Sequence, residues 1–445
     1  MKKEILFKYS TFIFSVLLIT VLYIHKTPGS FEKVDLHIDE TYWIGESYYF
    51  NLFFIEHNLT HYSWNGFWSM HNPPFIKYYY GAALYFNNIK VDDFSLRDMF
   101  DEYWADKEAL RNKFPLDHLI ICRKAAWLSL LFTLFIVFAI PCNCGRPLCG
   151  VFAVVIFVND PEILVYFSRA LSEPPFTLII MAYMFSAMLL FKKNIDKKNK
   201  INKQLYGSML ILLTSVIIGL AALTKLNGPL LGVIFVCQAV VFFMLKTYYH
   251  DFEKEKNNKS RYLFKNVSLF ALLVIIVGVL SICIAILFNP YLYNAPFEKV
   301  LKSLNAWNQM ISRQQANFEV GLITVKEKLS YFFNNCYFIG NVNTKAVNII
   351  NHAFLALGFL FVFTEGVNKT REKKSVSSEL LFGVASVIWL SVHIFWLPLA
   401  WKRYLVPLVP FVAIFQAAGL YFIMVCLLKL LKADFILSYI ETKKA

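Results

Sequence analysis

The chain has 445 residues, of which 58% are hydrophobic, 17% aromatic and only 17% charged, with a formal net charge of +14. Its apolar residues come in runs long enough to cross a bilayer as helices, which need ~20 residues each. That excludes a soluble globular protein. The placement of the positive charge, in short segments between apolar runs, points to membrane lipid and a topology signal, not to nucleic acid.

Ten spans are expected in chain order, at about 5–24, 119–141, 150–167, 175–191, 206–223, 229–246, 266–288, 347–364, 379–397 and 405–431. The first has no small-residue cleavage site and precedes Pro28-Gly29, so it reads as a retained span. Lys192, Lys193, Lys197, Lys198, Lys200 and Lys203 fall between spans, as do Lys254 to Lys265 and Lys369 to Lys374. These are expected to be cytoplasmic. The stretch Lys26–His118 holds fourteen acids against eight Lys and Arg, the opposite bias. It is expected on the periplasmic or lumenal face, of a bacterial inner membrane or an endoplasmic reticulum, with both termini cytoplasmic.

In this layout residues 1–431 form one membrane domain. Its outer loops are 25–118 and 289–346, and 432–445 is a cytoplasmic tail. The first loop carries helix-like aromatic stretches at 41–56 and 76–87, expected to lie in the membrane interface without a core of their own. Cys142, Cys144 and Cys149 share a short loop with no nearby fourth ligand, and read as reduced thiols before a zinc site.

The chemistry-bearing residues gather on the outer side. Asp39-Glu40 could supply a general base and a partner that orients an acceptor, or could be ordinary solvated loop acids. His71 and Lys77 flank the stiff Pro73-Pro74, which equally suits a plain loop-to-helix junction. Glu173 precedes Pro174-Pro175 and could simply complete a helix N-terminus. Arg123, Arg169, Lys225 and Lys402-Arg403 sit at outer ends of spans, against the positive-inside bias. Convergence on a phosphate would explain them, and so would snorkelling of each one singly.

Taken in order, these motifs carry a family resemblance. They are Asp39-Glu40; Pro73-Pro74 with Lys77; Arg123; Tyr166-Phe167-Ser168-Arg169 leading to Glu173; Gly219 to Lys225; Asn289-Pro290-Tyr291; and Arg403-Tyr404 running to Pro410. The sequence resembles the GT-C glycosyltransferases of the dolichyl-phosphate-mannose–protein mannosyltransferase and aminoarabinose transferase type, glycosyltransferase family 39 in the broad sense. The resemblance runs from about residue 5 to about 420. It implies an all-α polytopic GT-C fold and transfer of a sugar, with inversion, from a polyprenyl phosphate to a hydroxyl of a protein, lipid or glycan. It implies Asp39 and Glu40 at the reaction centre, and Arg123 and Arg403, with Lys77 and Lys225, at the donor phosphate. His71, Arg169, Glu173 and Tyr404 are the expected substrate contacts. No cofactor is required, no residue is assigned to a metal, and a divalent metal stays open. No MIR-type insert is read between the spans and no long C-terminal soluble domain is expected, so the eukaryotic protein mannosyltransferases are expected to be distant. The competing reading is a transporter or flippase of lipid-linked sugars, whose ionisable groups would sit nearer mid-membrane.

Overall fold

The computed structural model describes residues 2–99, 106–192, 200–248, 259–318, 320–335, 345–373 and 375–432. The proposed tail from residue 433 onward, the basic residues Lys193, Lys197, Lys198 and Lys254, and part of the second outer loop lie outside them. Among the described residues the one extended pairing is a bridge between Gly321 and Leu399.

Helix α1 (Lys2–Lys26) leads into the first loop, which holds α2 (Ile38–Gly45), α3 (Phe67–His71) and α4 (Phe75–Phe86). Helix α5 (Leu116–Asn143) follows, then α6 (Pro147–Val158) and α7 (Pro161–Phe167), which meet at 69°. Pro161 has no N–H to continue α6, and the Asp160 carboxylate caps the new helix by accepting from Glu162 and Ile163 N–H. The chain continues through α8 (Glu173–Phe191), α9 (Lys200–Ala222), α10 (Leu230–Tyr248) and α11 (Lys259–Leu287). The second loop carries α12 (Pro296–Phe318) and α13 (Val325–Asn335). Last come α14 (Lys345–Lys373), α15 (Ser378–Trp396) and a 3₁₀ turn, Lys402–Leu408, running into α16 (Val409–Leu430).

Among the described residues eight helices are long and apolar enough to cross a membrane, and the bent pair makes a ninth. The apolar part of α1, Ile13–Lys26, is shorter. Nine of the ten expected spans coincide with these elements when the bent pair counts as one, and the first expected span falls on the shorter α1. The protein is an integral, multi-pass, all-α membrane protein. Helix α8 lies at the centre of the bundle, with 78% of its apolar window buried, against 11% for α11. Helices α14 and α16 cross closely because Gly358 meets Gly419. A Cβ on Gly358 would lie 1.7 Å from the Phe415 carbonyl oxygen, and one on Gly419 2.2 Å from that of Phe354. Small residues at such a crossing let two backbones touch where lipid supplies no hydrophobic drive.

The first loop departs from its sequence expectation. Both aromatic stretches contain helix and leave Phe54, Ile55, Tyr85 and Phe86 exposed, but many of their other side chains turn inward. Tyr49, Phe50, Leu52, Trp64, Tyr78 and Phe94 form a core within the loop itself. Tyr42, Trp43, Ile44, Ile76 and Tyr80 form a second one against Leu119, Cys122 and Ala126 of α5. Aromatic rings carry large apolar area on few torsions, so a short loop can bury a core with them.

Candidate functional site

Two hydrogen-bonded junctions fix the first loop over the bundle. The Phe75 N–H, just past Pro73-Pro74, donates to the Leu223 carbonyl at the end of α9, 2.8 Å away. The Tyr80 hydroxyl donates to the Leu171 carbonyl before α8 at 2.5 Å. Helix α2 starts with a reciprocal cap: His37 Nδ1 accepts from the Asp39 N–H, and Glu40 accepts from the His37 N–H. Successive residues on a helix point about 100° apart. Asp39 and Glu40 therefore face different surroundings, although they are neighbours in sequence.

Glu40 faces inward. Its two oxygens accept from Arg123 Nε and an Arg123 terminal nitrogen, each at 2.7 Å, and one also accepts from the Ala170 N–H at 2.8 Å. The remaining Arg123 N–H groups donate to the carbonyls of Phe31, Val34 and Asp35. Both side chains are fully buried. A guanidinium has five N–H donors, and these contacts engage all of them. The pair ties α5 to the start of the first loop.

Asp39 faces outward into a cavity of about 120 Å³ lined by the first loop, a face of α12 and four helix ends. Its carboxylate pairs with Arg403, whose guanidinium lies 4.5 Å from the Trp401 ring centroid. Across the cavity Lys225 Nζ lies 2.7 Å from Glu173 Oε1. Glu173 opens α8, where the helix dipole favours a negative charge. Lys225 sits in the tight turn after α9. There a Cβ on Gly228 would come within 1.8 Å of the Ala221 carbonyl oxygen, so only glycine fits.

Six of the ten expected site residues line this cavity: Asp39, His71, Glu173, Lys225, Arg403 and Tyr404. His71 donates through Nδ1 to the Phe67 carbonyl at 2.8 Å. The other four stand apart. Glu40 and Arg123 are committed to each other. Lys77 is buried against Glu46, 2.6 Å away, with the Tyr49 ring centroid 4.2 Å from its ammonium. Burial draws the Lys77 pKa below its ordinary value, and Glu46 acts in the opposite sense. Arg169 lies close enough to His37 to disfavour its protonation, outside the cavity lining. Lys402 pairs with Glu162 at 2.6 Å.

The cavity also holds residues that the sequence reading did not select: Trp43, Asn227, Trp307, Gln314, His393 and Trp396. Trp307 and Trp396 stack with centroids 4.5 Å apart at 4°. A polar, ionisable residue inside an apolar span, as His393 is, was an available signal. Trp307, Met310 and Gln314 recur at i, i+3 and i+7, the spacing of one helix face.

No protein-family model matches the chain, and neither does the sequence of any curated protein. Solved structures do resemble it. The archaeal oligosaccharyltransferase AglB from Archaeoglobus fulgidus, in complex with an inhibitory peptide and a dolichol-phosphate, superposes with a TM-score of 0.52 at 11% identity. The match covers 96% of this chain and 52% of that one. The apo form of the Archaeoglobus fulgidus oligosaccharyltransferase gives 0.51 at 13% identity, over 96% and 52%. ArnT from Cupriavidus metallidurans, bound to undecaprenyl phosphate, gives 0.49 at 12% identity, over 96% and 64%. The fold is that of the GT-C membrane glycosyltransferases. The chain spans about half the length of the oligosaccharyltransferases it matches. At such identities the likeness shows the fold alone.

Proposed function

We propose that this protein is an integral-membrane glycosyltransferase. It moves a sugar from a polyprenyl phosphate to a hydroxyl of a protein, lipid or glycan, with inversion, on the periplasmic or lumenal face. The observation that carries this reading is the pairing of Asp39 with Arg403 and of Glu173 with Lys225 around one cavity. The cavity lies at the start of α8 and the end of α15. Lys192, after the far end of α8, and the Lys369–Glu379 pair, at the far end of α15, lie on the opposite side. Charge bias therefore supports an outward-facing site. The dolichol-phosphate held by AglB supports a lipid phosphate donor.

The chemistry follows from the two ion pairs. The donor is a phosphodiester anion with polyprenyl phosphate as its leaving group. Arg403 and Lys225 hold its free oxygens, the Arg through a planar fork. Phosphate contact draws Arg403 away from Asp39 and leaves that carboxylate free to accept a proton. Asp39 takes the proton of the acceptor hydroxyl as its oxygen attacks the anomeric carbon opposite the phosphate. The anomeric C–O bond breaks, its electron pair leaves with the polyprenyl phosphate, and the added negative charge is met by Arg403 and Lys225.

Asp39→Asn keeps the size and polarity of the side chain but removes the base. Transfer of labelled sugar from polyprenyl phosphate in membranes should fall by roughly 10²–10⁴. Undiminished transfer by this variant would remove Asp39 from the role. Movement of lipid-linked sugar across the bilayer by wild type, with no covalent transfer, would favour a flippase.

A further inference from the structure

Four polar atoms on the cavity residues are buried without a hydrogen-bond partner: Asn227 Oδ1, Gln314 Oε1, His393 Nδ1 and Arg403 Nε. Buried polar atoms are normally paired, and an unpaired one destabilises the fold unless a ligand or water meets it. The chemistry of these atoms says what could meet them. Asn227 Oδ1 and Gln314 Oε1 are carbonyl oxygens, so they accept. His393 Nε2 lies 2.7 Å from the Tyr404 carbonyl oxygen, which can only accept. Nε2 therefore carries the hydrogen, and in the neutral ring Nδ1 offers a lone pair. Three of the four atoms are acceptors.

A phosphodiester has no hydrogen to give them. The two cations that suit a phosphate, Arg403 and Lys225, border the same cavity, but the three acceptors need a group rich in O–H donors. Trp43, Trp307 and Trp396 add aromatic ring surface beside them. Ring faces carry partial negative charge and suit the C–H faces of a pyranose.

We infer that Asn227, Gln314 and His393 form the subsite that accepts hydrogen bonds from the hydroxyls of the donor sugar. This rests on the transferase reading and extends it: the cations hold the phosphate, and the three acceptors select for its glycosyl group. Helix α12 supplies Gln314 and Trp307 from the second outer loop, so that loop contributes to sugar selection.

The test compares binding of bare dolichyl phosphate, dolichyl-phosphate mannose and dolichyl-phosphate glucose to the full chain in detergent. Wild type should bind at least one sugar-loaded lipid more tightly than the bare lipid. Gln314→Ala and Asn227→Ala should each cut that preference by about 2–12-fold, the range for one neutral hydrogen bond. Affinity for the bare lipid should stay unchanged. His393→Ala should act the same way. If it fails to fold, Gln314→Ala on the amphipathic α12 still decides the matter. An unchanged preference in both the Gln314 and Asn227 variants overturns the subsite. So does a parallel loss of affinity for the bare lipid, which would mean a structural role. Wild type that binds bare and sugar-loaded lipid equally overturns the subsite and leaves the phosphate clamp standing. Wild type that binds no lipid phosphate overturns the transferase reading itself, and the subsite with it.

Discussion

Two neighbouring acids, Asp39 and Glu40, each meet an arginine, and the two pairs are built differently. Glu40–Arg123 is fully buried, and its donors and acceptors are matched by the carbonyls of Phe31, Val34 and Asp35 and the N–H groups of His37 and Ala170. Asp39–Arg403 borders a cavity, is partly exposed on both sides, and leaves Arg403 Nε without a partner. A saturated ion pair can only be broken; an unsaturated one can be exchanged for a ligand. Under the proposed transferase reading, the difference assigns Glu40 to architecture and Asp39 to chemistry.

Breaking each pair in turn should give opposite results. Glu40→Ala leaves Arg123 charged in a dry site, which typically costs about 3–5 kcal/mol. Its thermal stability in detergent should fall accordingly, and the first loop should become sensitive to protease. Asp39→Ala lies on the cavity wall and should change stability by no more than about 1 kcal/mol. Equal losses of stability for the two variants would erase the distinction. A stable Glu40→Ala protein that has lost only transfer would restore Glu40 to the reaction centre.

The second pair can be sharpened on its cation. Arg403→Ala should weaken use of the lipid donor by about 10–150-fold, the equivalent of 1.5–3 kcal/mol for a charge-assisted contact. Arg403→Lys should lose less, since it keeps the charge without the fork. Donor titration in detergent reads both. Unchanged donor dependence in the Ala variant would take Arg403 out of the clamp.

The architecture was legible in the sequence because hydrophobic run length and charge bias are local signals. Eight expected spans fall on helices long enough to cross, 150–167 falls on the bent pair whose break is written in Asp160-Pro161, and the first falls on the shorter α1. The site was legible only as a set of candidates. Asp39, Glu173, Lys225 and Arg403 meet in the cavity from four separate segments. Glu40, Arg123 and Lys77 carry the same residue types but point into packed protein, and the choice depends on helix phase. No motif could reveal that Lys77 is taken by Glu46, because Glu46 lies 31 positions earlier and meets it only through loop packing. Gln314 and Trp307 escaped notice because they lie on an amphipathic helix whose docking is a tertiary fact.

The smallest expected effect concerns the cap that aims Asp39. His37 Nδ1 accepts the Asp39 N–H, so the cap needs a neutral ring or at least that lone pair. Burial lowers the His37 pKa below its ordinary value. Asp39 and Glu40 act to raise it, while Arg403 and Arg169 act to lower it. The folded protein thus holds this proton less readily than the unfolded chain. The associated stability is fully present above the unfolded value near pH ~6.5. It declines as pH falls from there through the lowered folded pKa. Acid should therefore loosen the start of α2. His37→Asn keeps a side-chain acceptor at the cap but cannot titrate. Thermal unfolding of wild type and His37→Asn should run together above about pH 7 and separate below about pH 6.5, with wild type losing more. Parallel curves across that range would show that the cap is indifferent to the ring's proton, and that Asp39 is aimed by Arg403 alone.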